Sequence, residues 1–204
     1  AIAQEHITQE HIALSSYYIP GLVESTEQGV MIDMLKKIER LANVNFELTL
    51  MPTKRVQQSF LHKKISGYFP ELEESRGGDS CRTSAFMQKG IIAFTRKGDT
   101  PITRVKQLEG QTIGAVSGYS YGRDIIENSN ITLTSADNDI INVKKLLAGR
   151  IDVIVGDMIS TVNAIKALNA EQLVSYPAGK PVSLLDVFFI FTADEAGQIR
   201  CNTI

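Results

Sequence analysis

Alternating apolar and polar positions predict the first strands and helices of the chain. Residues 44–50 alternate without a fault, which is typical of a half-buried strand. Residues 29–42 carry apolar side chains at helical spacing with charged side chains between them, which predicts an amphipathic helix on a sheet. A second helix is predicted from Pro52, and further strands at residues 11–15 and 91–94. The apolar stripe of the first helix consists of Met31, Met34, Leu35, Ile38, Leu41 and Ala42.

From residue 98 onwards, strands and helices alternate in a regular rhythm. Residues 151–155 are apolar at nearly every position, which indicates a strand buried on both faces of its sheet. Buried strands that alternate with helices favour a parallel α/β sheet. The predicted strands cover residues 112–117, 131–133 and 151–155, and helices are predicted to start near Ser120, Asn138 and Asp157.

Two strand ends in this second half are expected to lie at one edge of the sheet, where ligands of parallel sheets bind. Ser117, Gly118 and Ser120 form the turn after the first strand, and a helix that begins at Ser120 would turn free backbone N–H groups toward an anion. Asp157 follows the other strand and offers a carboxylate to a cation. The pair suits a zwitterion. The alternatives are an ordinary turn with a serine cap and an aspartate that only caps its helix.

The turn also spells the G-x-S-x-G pattern of hydrolases, from Gly118 to Gly122. A nucleophilic Ser120 needs a histidine base, and in hydrolases with this turn the histidine comes last in the chain. All three histidines, His6, His11 and His62, precede Ser120. The pattern therefore does not favour an enzyme.

Composition and charge exclude several classes of partner. The chain has 204 residues, 43% of them hydrophobic, which is enough to form a substantial core. The net charge of −2 gives no reason to expect nucleic acid as a partner, and no apolar run is long enough to cross a bilayer. The two cysteines, Cys81 and Cys201, could be two buried thiols or one long-range disulfide in an oxidising compartment.

The order and spacing of several segments resemble the extracytoplasmic solute-binding proteins of ABC importers, of the amino-acid-binding type. No single motif is specific, but the resemblance runs over most of the chain. The segments that carry it are the helix start at Gly29 to Leu35, the crossing segment from Gly90 to Gly98, Leu108 to Gly114, Gly118 with Ser120, and residues 147–157.

The resemblance implies a fold of two lobes that close on a small solute. The expected fold class is α/β, a two-lobed periplasmic-binding-protein-like fold of type II, in which each lobe is a mostly parallel sheet flanked by helices. Lobe 1 would comprise residues 1–93 and 188–204, and lobe 2 residues 98–184. Residues 94–97 and 185–187 would be the hinge crossings.

The resemblance also implies roles for particular residues. The turn from Gly118 through Tyr119 to Ser120 would bind the carboxylate of the ligand, and Asp157 its amine. Arg76 stands fourteen residues before Gly90, where the family has an arginine that clamps the carboxylate bidentately. The aromatic walls would come from Tyr17, Tyr18 and Phe69. Glu71, together with Glu73, precedes Arg76 and indicates either a cationic ligand or a solvated rim.

The expected function is therefore binding of an amino acid or related zwitterion, for delivery to the membrane permease of an ABC importer. We expect a monomer in the periplasm, without a cofactor, a metal or catalysis. The alternatives are a ligand-binding sensor domain of a signalling protein and an enzyme built on the same scaffold.

Overall fold

The computed structural model describes residues 9–72 and 79–204. The described residues form ten strands and six helices. The strands are β1 (Glu10–Ser16), β2 (Val44–Leu50), β3 (Gly67–Leu72), β4 (Ser80–Arg82), β5 (Met87–Arg96), β6 (Thr112–Val116), β7 (Thr132–Ala136), β8 (Val153–Asp157), β9 (Val174–Ser175) and β10 (Ser183–Thr192). The helices are α1 (Val30–Ala42), α2 (Thr53–Leu61), α3 (Arg123–Ile126), α4 (Asp139–Leu147), α5 (Met158–Ala167) and α6 (Glu195–Thr203), with a 3₁₀ turn at Val105–Leu108.

The chain divides into two compact units. Of the described residues, unit 1 comprises 9–71, 79–87 and 187–204, and unit 2 comprises Leu72 and residues 88–186. Apart from the short excursion into unit 2 at Leu72, the chain passes between the units after residue 87 and again after residue 186. The passage after residue 87 comes before the predicted hinge at 94–97. Residues 94–96 of that hinge lie inside the continuous strand β5. Residues 94–97 and 185–187 remain predictions as hinges, since a hinge is defined by motion.

In unit 1, a parallel sheet is buried between helices and an aromatic cluster. Strand β1 is the centre of the parallel part and pairs with β2 on one side and β3 on the other. β4 pairs antiparallel with the last part of β10. Rings on one side of the sheet pack at centroid distances of 4.6–6.3 Å. These rings belong to Phe46, Phe69, Phe86 and Phe189.

In unit 2, the inner strands β6 and β8 of the sheet are buried on both faces. The strands lie in the order β5, β8, β6, β7; β8 and β7 run parallel to β6, and β5 runs antiparallel to β8. Successive residues of β8 enter different clusters: Val153 and Val155 pack on one face, and Ile154 packs on the other against α4 and α5. Each such fully buried side chain stabilises the fold by roughly 1.5–3 kcal/mol. The predicted parallel α/β arrangement is thus confirmed for β6, β7 and β8.

The amphipathic stripe predicted for α1 is only partly right. Met31 and Leu35 are buried as predicted, but Leu41 is 88% exposed. The helix ends at Ala42 with Asn43 in the left-handed conformation, so Leu41 lies in the last turn of the helix. Leu61, at the end of α2, is exposed in the same way.

A disulfide between Cys81 and Cys201 joins β4 to α6. The sequence left both a bridge and two buried thiols open, and the structure has the bridge. Both cysteines lie in unit 1, 120 residues apart in sequence. The bridge therefore fixes the last helix to the sheet of that unit.

We predict that the double substitution C81S/C201S lowers the free energy of unfolding by roughly 3–5 kcal/mol, because closing a loop of this length restricts the unfolded chain. Urea denaturation followed by circular dichroism measures the change. Wild-type protein with a reductant should unfold at the same lowered midpoint as the variant. An unchanged midpoint after confirmed reduction would contradict the prediction.

Candidate functional site

The carboxyl ends of β6 and β8 lie side by side in unit 2. The two parallel strands are paired at Ile113 with Val153 and at Gly114 with Ile154. Both strands therefore end at the same edge of the sheet. The turn after β6 and the start of α5 after β8 are neighbours, as the sequence predicts for these two strand ends.

Backbone hydrogen bonds hold the turn after β6 but do not engage all of its N–H groups. Ser117 N–H donates to the carbonyl of Ala136 at 2.9 Å, and Tyr119 N–H donates to Val116 at 3.3 Å. Gly118 has φ of 79°, a left-handed value that favours glycine. Within the described part of the chain, the N–H groups of Gly118 and Ser120 have no hydrogen-bond partner.

The prediction that a helix begins at Ser120 is wrong. Helix α3 begins at Arg123 and contains four residues. Gly122, which precedes it, has φ of 95°, and this value is incompatible with helical backbone. The free N–H groups therefore belong to a turn, and they do not gain the dipole of a long helix.

Asp157 ends β8 and caps α5. Its Oδ1 accepts hydrogen bonds from the N–H groups of Ile159 at 2.9 Å and Ser160 at 3.2 Å. The N-cap alternative that the sequence left open is therefore confirmed. The role of Asp157 toward a ligand amine stays a prediction.

Lys89 is a further charged residue at this edge, one that was not predicted from the sequence, and its Nζ lies 3.4 Å from Oδ2 of Asp157. The Lys89 side chain is 31% exposed and that of Asp157 is 21% exposed, so the pair is reachable from solvent. β5 places Ile91 opposite Asp157, so Lys89 lies two residues beyond this pairing, past the end of β8. The antiparallel pairing of β5 with β8 is a long-range contact, and no local pattern in the sequence indicates it.

Tyr119 lies close to the carboxylates of Asp139 and Asp157. Burial raises the pKa of its hydroxyl, and the negative charges of Asp139 and Asp157 add to the shift. Asp139 itself is buried and accepts a hydrogen bond from the Thr161 hydroxyl at 2.9 Å, which joins α4 to α5. The exposed half of the Tyr119 side chain faces solvent.

The candidate residues of unit 1 gather at the ends of β1 and β3. The two strands are paired at Ser15 and Tyr68. The Tyr17 hydroxyl donates to the carbonyl of Pro70 at 3.1 Å, and the Tyr68 hydroxyl donates to Oε2 of buried Glu71. Burial raises the pKa of Tyr17 to about 12, and the charge of Glu71 adds to the shift. Tyr17 and Glu71 are thus neighbours, as a shared site requires.

The remaining predicted residues of unit 1 have different surroundings. Tyr18 is 60% exposed, and the charge of Glu24 raises its pKa. Phe69 has no exposed surface and packs against Phe86 and Phe189. Its ring belongs to the core, because a pocket wall needs surface to offer a ligand. Arg76 lies outside the described residues.

The structure therefore gathers the predicted residues into two sets. Unit 2 holds Gly118, Tyr119, Ser120 and Asp157 at one strand edge. Unit 1 holds the others that are described, Tyr17, Tyr18, Phe69 and Glu71.

A cavity of about 600 Å³ in unit 2 lies at the opposite, amino ends of β6 and β8. Arg96 is the main charged group there. Its guanidinium donates to the carbonyls of Ile151 at 2.8 Å and Leu146 at 3.3 Å, and it pairs with Asp99 and Asp152. These partners engage the N–H donors of the Arg96 guanidinium. The guanidinium therefore stabilises the end of α4 and the start of β8. The cavity is lined by Thr95, Arg96, Gly98, Asp99, Thr100, Ile102, Gln107, Gln111 and Asp152.

Two kinds of feature are absent from residues 9–72 and 79–204. No group of three or more histidine, cysteine, aspartate or glutamate side chains in these ranges could hold a metal ion. None of the helices in these ranges has the length and hydropathy needed to span a membrane.

Comparison with known proteins defines the fold. No protein-family model and no curated protein sequence matches the chain. Among solved structures, the VFT2 domain of BvgS from Bordetella pertussis superposes with a TM-score of 0.63 at 16% identity, over 95% of this chain and 85% of that domain. The GluR0 ligand-binding core from Nostoc punctiforme, in complex with L-glutamate, gives a TM-score of 0.60 at 16% identity, over 94% and 89%.

A third similar structure is arginine-bound ArgBP from T. maritima, with a TM-score of 0.57 at 16% identity, over 93% of this chain and 91% of that one. At this identity the similarity shows the fold. The chain has the two-lobed α/β fold of periplasmic-binding-protein-like domains, and the predicted fold class is confirmed.

We predict an alkaline loss of stability that depends on Tyr17. Its pKa is about 12 in the folded protein and near 10.0 when exposed, so the folded state holds the proton more tightly. The free energy of unfolding should therefore be unaffected below pH 10 and should fall between about pH 10 and 12, by up to about 2–3 kcal/mol from this group.

The variant Tyr17→Phe tests this prediction by urea denaturation at several pH values. Its hydroxyl hydrogen bond is gone at every pH, which costs about 1 kcal/mol. Tyr68 and Tyr121 remain in both proteins, so the difference between the two proteins isolates Tyr17. The variant should lose less stability than wild type above pH 10; equal losses would contradict the assignment.

Proposed function

We propose that the chain binds a small polar solute, an amino acid or a related zwitterion, as an extracytoplasmic ligand-binding domain. The observation that carries the proposal is a set of free donors and charged groups at the carboxyl edge of unit 2, in a fold that binds ligands in other proteins. The free N–H groups of Gly118 and Ser120 supply donors for a carboxylate. Lys89 and Asp157 supply charges of both signs.

The similar structures support the ligand class. ArgBP is bound to arginine and the GluR0 core to L-glutamate, so this fold accommodates amino acids of opposite side-chain charge. On this proposal Tyr17, Tyr18 and Glu71 contact the ligand from unit 1, with Arg76 as the predicted partner of its carboxylate. We do not propose Phe69 as a contact, since its ring is buried in the core.

The disulfide supports an extracytoplasmic location. Disulfides persist in oxidising compartments such as the periplasm and are rare in the cytosol. The Cys81–Cys201 bridge fits the periplasmic localisation that the sequence resemblance implies.

Two roles fit a ligand-binding domain of this kind. One is a solute receptor that delivers its ligand to the permease of an ABC importer. The other is a sensor domain, and one similar structure favours it: a histidine kinase sensor domain with similarity to periplasmic binding proteins, at a TM-score of 0.58 and 12% identity. Ligand binding is common to both roles, so it is the step to test first.

Isothermal titration calorimetry with the twenty L-amino acids tests the proposal. We expect at least one of them to bind with a dissociation constant in or below the micromolar range, the affinity expected when one site pairs both charges of a zwitterion. The corresponding amino-acid amide, which lacks the carboxylate, should bind at least about tenfold more weakly. Native mass spectrometry of protein purified without denaturation shows whether a ligand is already bound.

A panel with no measurable binding to protein that is ligand-free by native mass spectrometry would contradict the proposed function. An amide that binds as tightly as its parent amino acid would contradict carboxylate recognition.

A further inference from the structure

Asp157 already has a partner on each side-chain oxygen. Oδ1 receives two backbone N–H groups of α5, and Oδ2 faces the ammonium of Lys89 at 3.4 Å. The charge of the carboxylate is thus matched within the protein. A ligand ammonium that approached Asp157 would have to displace Lys89 or share Oδ2 with it, and two like charges would then lie close together.

The remaining polar groups at this edge are mostly donors. The N–H groups of Gly118 and Ser120 have no partner among the described residues, and the Lys89 ammonium has protons beyond the one that faces Asp157. The other close carboxylate, Asp139, is buried and engaged by Thr161. These donors can receive a negatively charged group.

Lys89 is well placed to act toward a ligand. Its side chain is about one-third exposed, so the ammonium keeps access to solvent while Asp157 limits its motion. A lysine that is held in one position loses less conformational entropy on binding than a free surface lysine does. Lys106, another lysine of unit 2, also pairs with a carboxylate, that of Glu109. Its side chain is 82% exposed, however, against 31% for Lys89.

We propose that Lys89 is a ligand-binding residue, and that the edge of unit 2 formed by Lys89, Gly118 and Ser120 takes the carboxylate of the ligand while Asp157 holds Lys89 in place. The inference rests on the proposed function and changes one part of it. It assigns Asp157 a positioning role in place of the amine-binding role predicted from the sequence resemblance.

An NMR titration with two small probes tests this directly. Sodium acetate carries the carboxylate alone, and methylammonium chloride carries the cation alone; both are added to wild-type protein at constant ionic strength. We expect acetate to shift the backbone amide resonances of Gly118 and Ser120 and the side-chain resonances of Lys89, with saturation in the millimolar range. Methylammonium should leave all three unchanged.

The variant K89M should abolish the acetate-dependent shifts, and K106M, which removes another paired lysine of the same unit, should retain them. Absence of saturable acetate shifts in wild type, or their persistence in K89M, would overturn the inference. Because the probes are not amino acids, this result is independent of whether the amino-acid panel binds.

The variant D157N separates the two roles of Asp157. Asparagine is as good an N-cap as aspartate, so α5 keeps its cap while the charge is lost. For an amino acid found to bind, K89M should lose about tenfold or more in affinity, and D157N, in which Lys89 loses its ionic partner, should lose less than K89M does. Loss of tenfold or more in D157N with tighter binding in K89M would show instead that Asp157 accepts the ligand ammonium and that Lys89 competes with it.

Discussion

The arrangement of unit 2 depends on one constraint: parallel strands that are buried on both faces can carry polar groups only at their ends. Val153, Ile154 and Val155 fill the clusters on the two faces of β8, so the polar character of the strand is confined to Asp157 at its end. β6 runs beside β8 in the same direction and ends in the Gly118 turn. Charged groups and free donors therefore meet at a single edge.

Much of this edge could be predicted from the sequence, because its signals are local. The apolar run before Asp157 and the helical spacing after it mark a strand, a cap and a helix within a few residues. The alternation of elements then implies that β6 and β8 are parallel. By contrast, apolar spacing in α1 indicated a buried Leu41, but spacing does not show which turns of a helix the rest of the protein covers.

The parts that could not be predicted depend on backbone angles or on distant pairing. Gly122 has a positive φ, so α3 begins only at Arg123. Nothing in the sequence indicates this angle except that the residue is a glycine. Lys89 reaches Asp157 through the antiparallel pairing of β5 with β8, across more than sixty residues of sequence. The resemblance to amino-acid-binding proteins led to Asp157 but not to Lys89, so the ammonium that neutralises Asp157 came only from the structure.

A crystal structure of the protein with a bound amino acid is the most direct test of this account. We expect a ligand carboxylate oxygen within hydrogen-bond distance of Lys89 Nζ and of the Gly118 or Ser120 N–H group. Asp157 Oδ1 should still accept from the first N–H groups of α5. A complex in which the ligand ammonium contacts Asp157 and Lys89 has turned away would contradict the account.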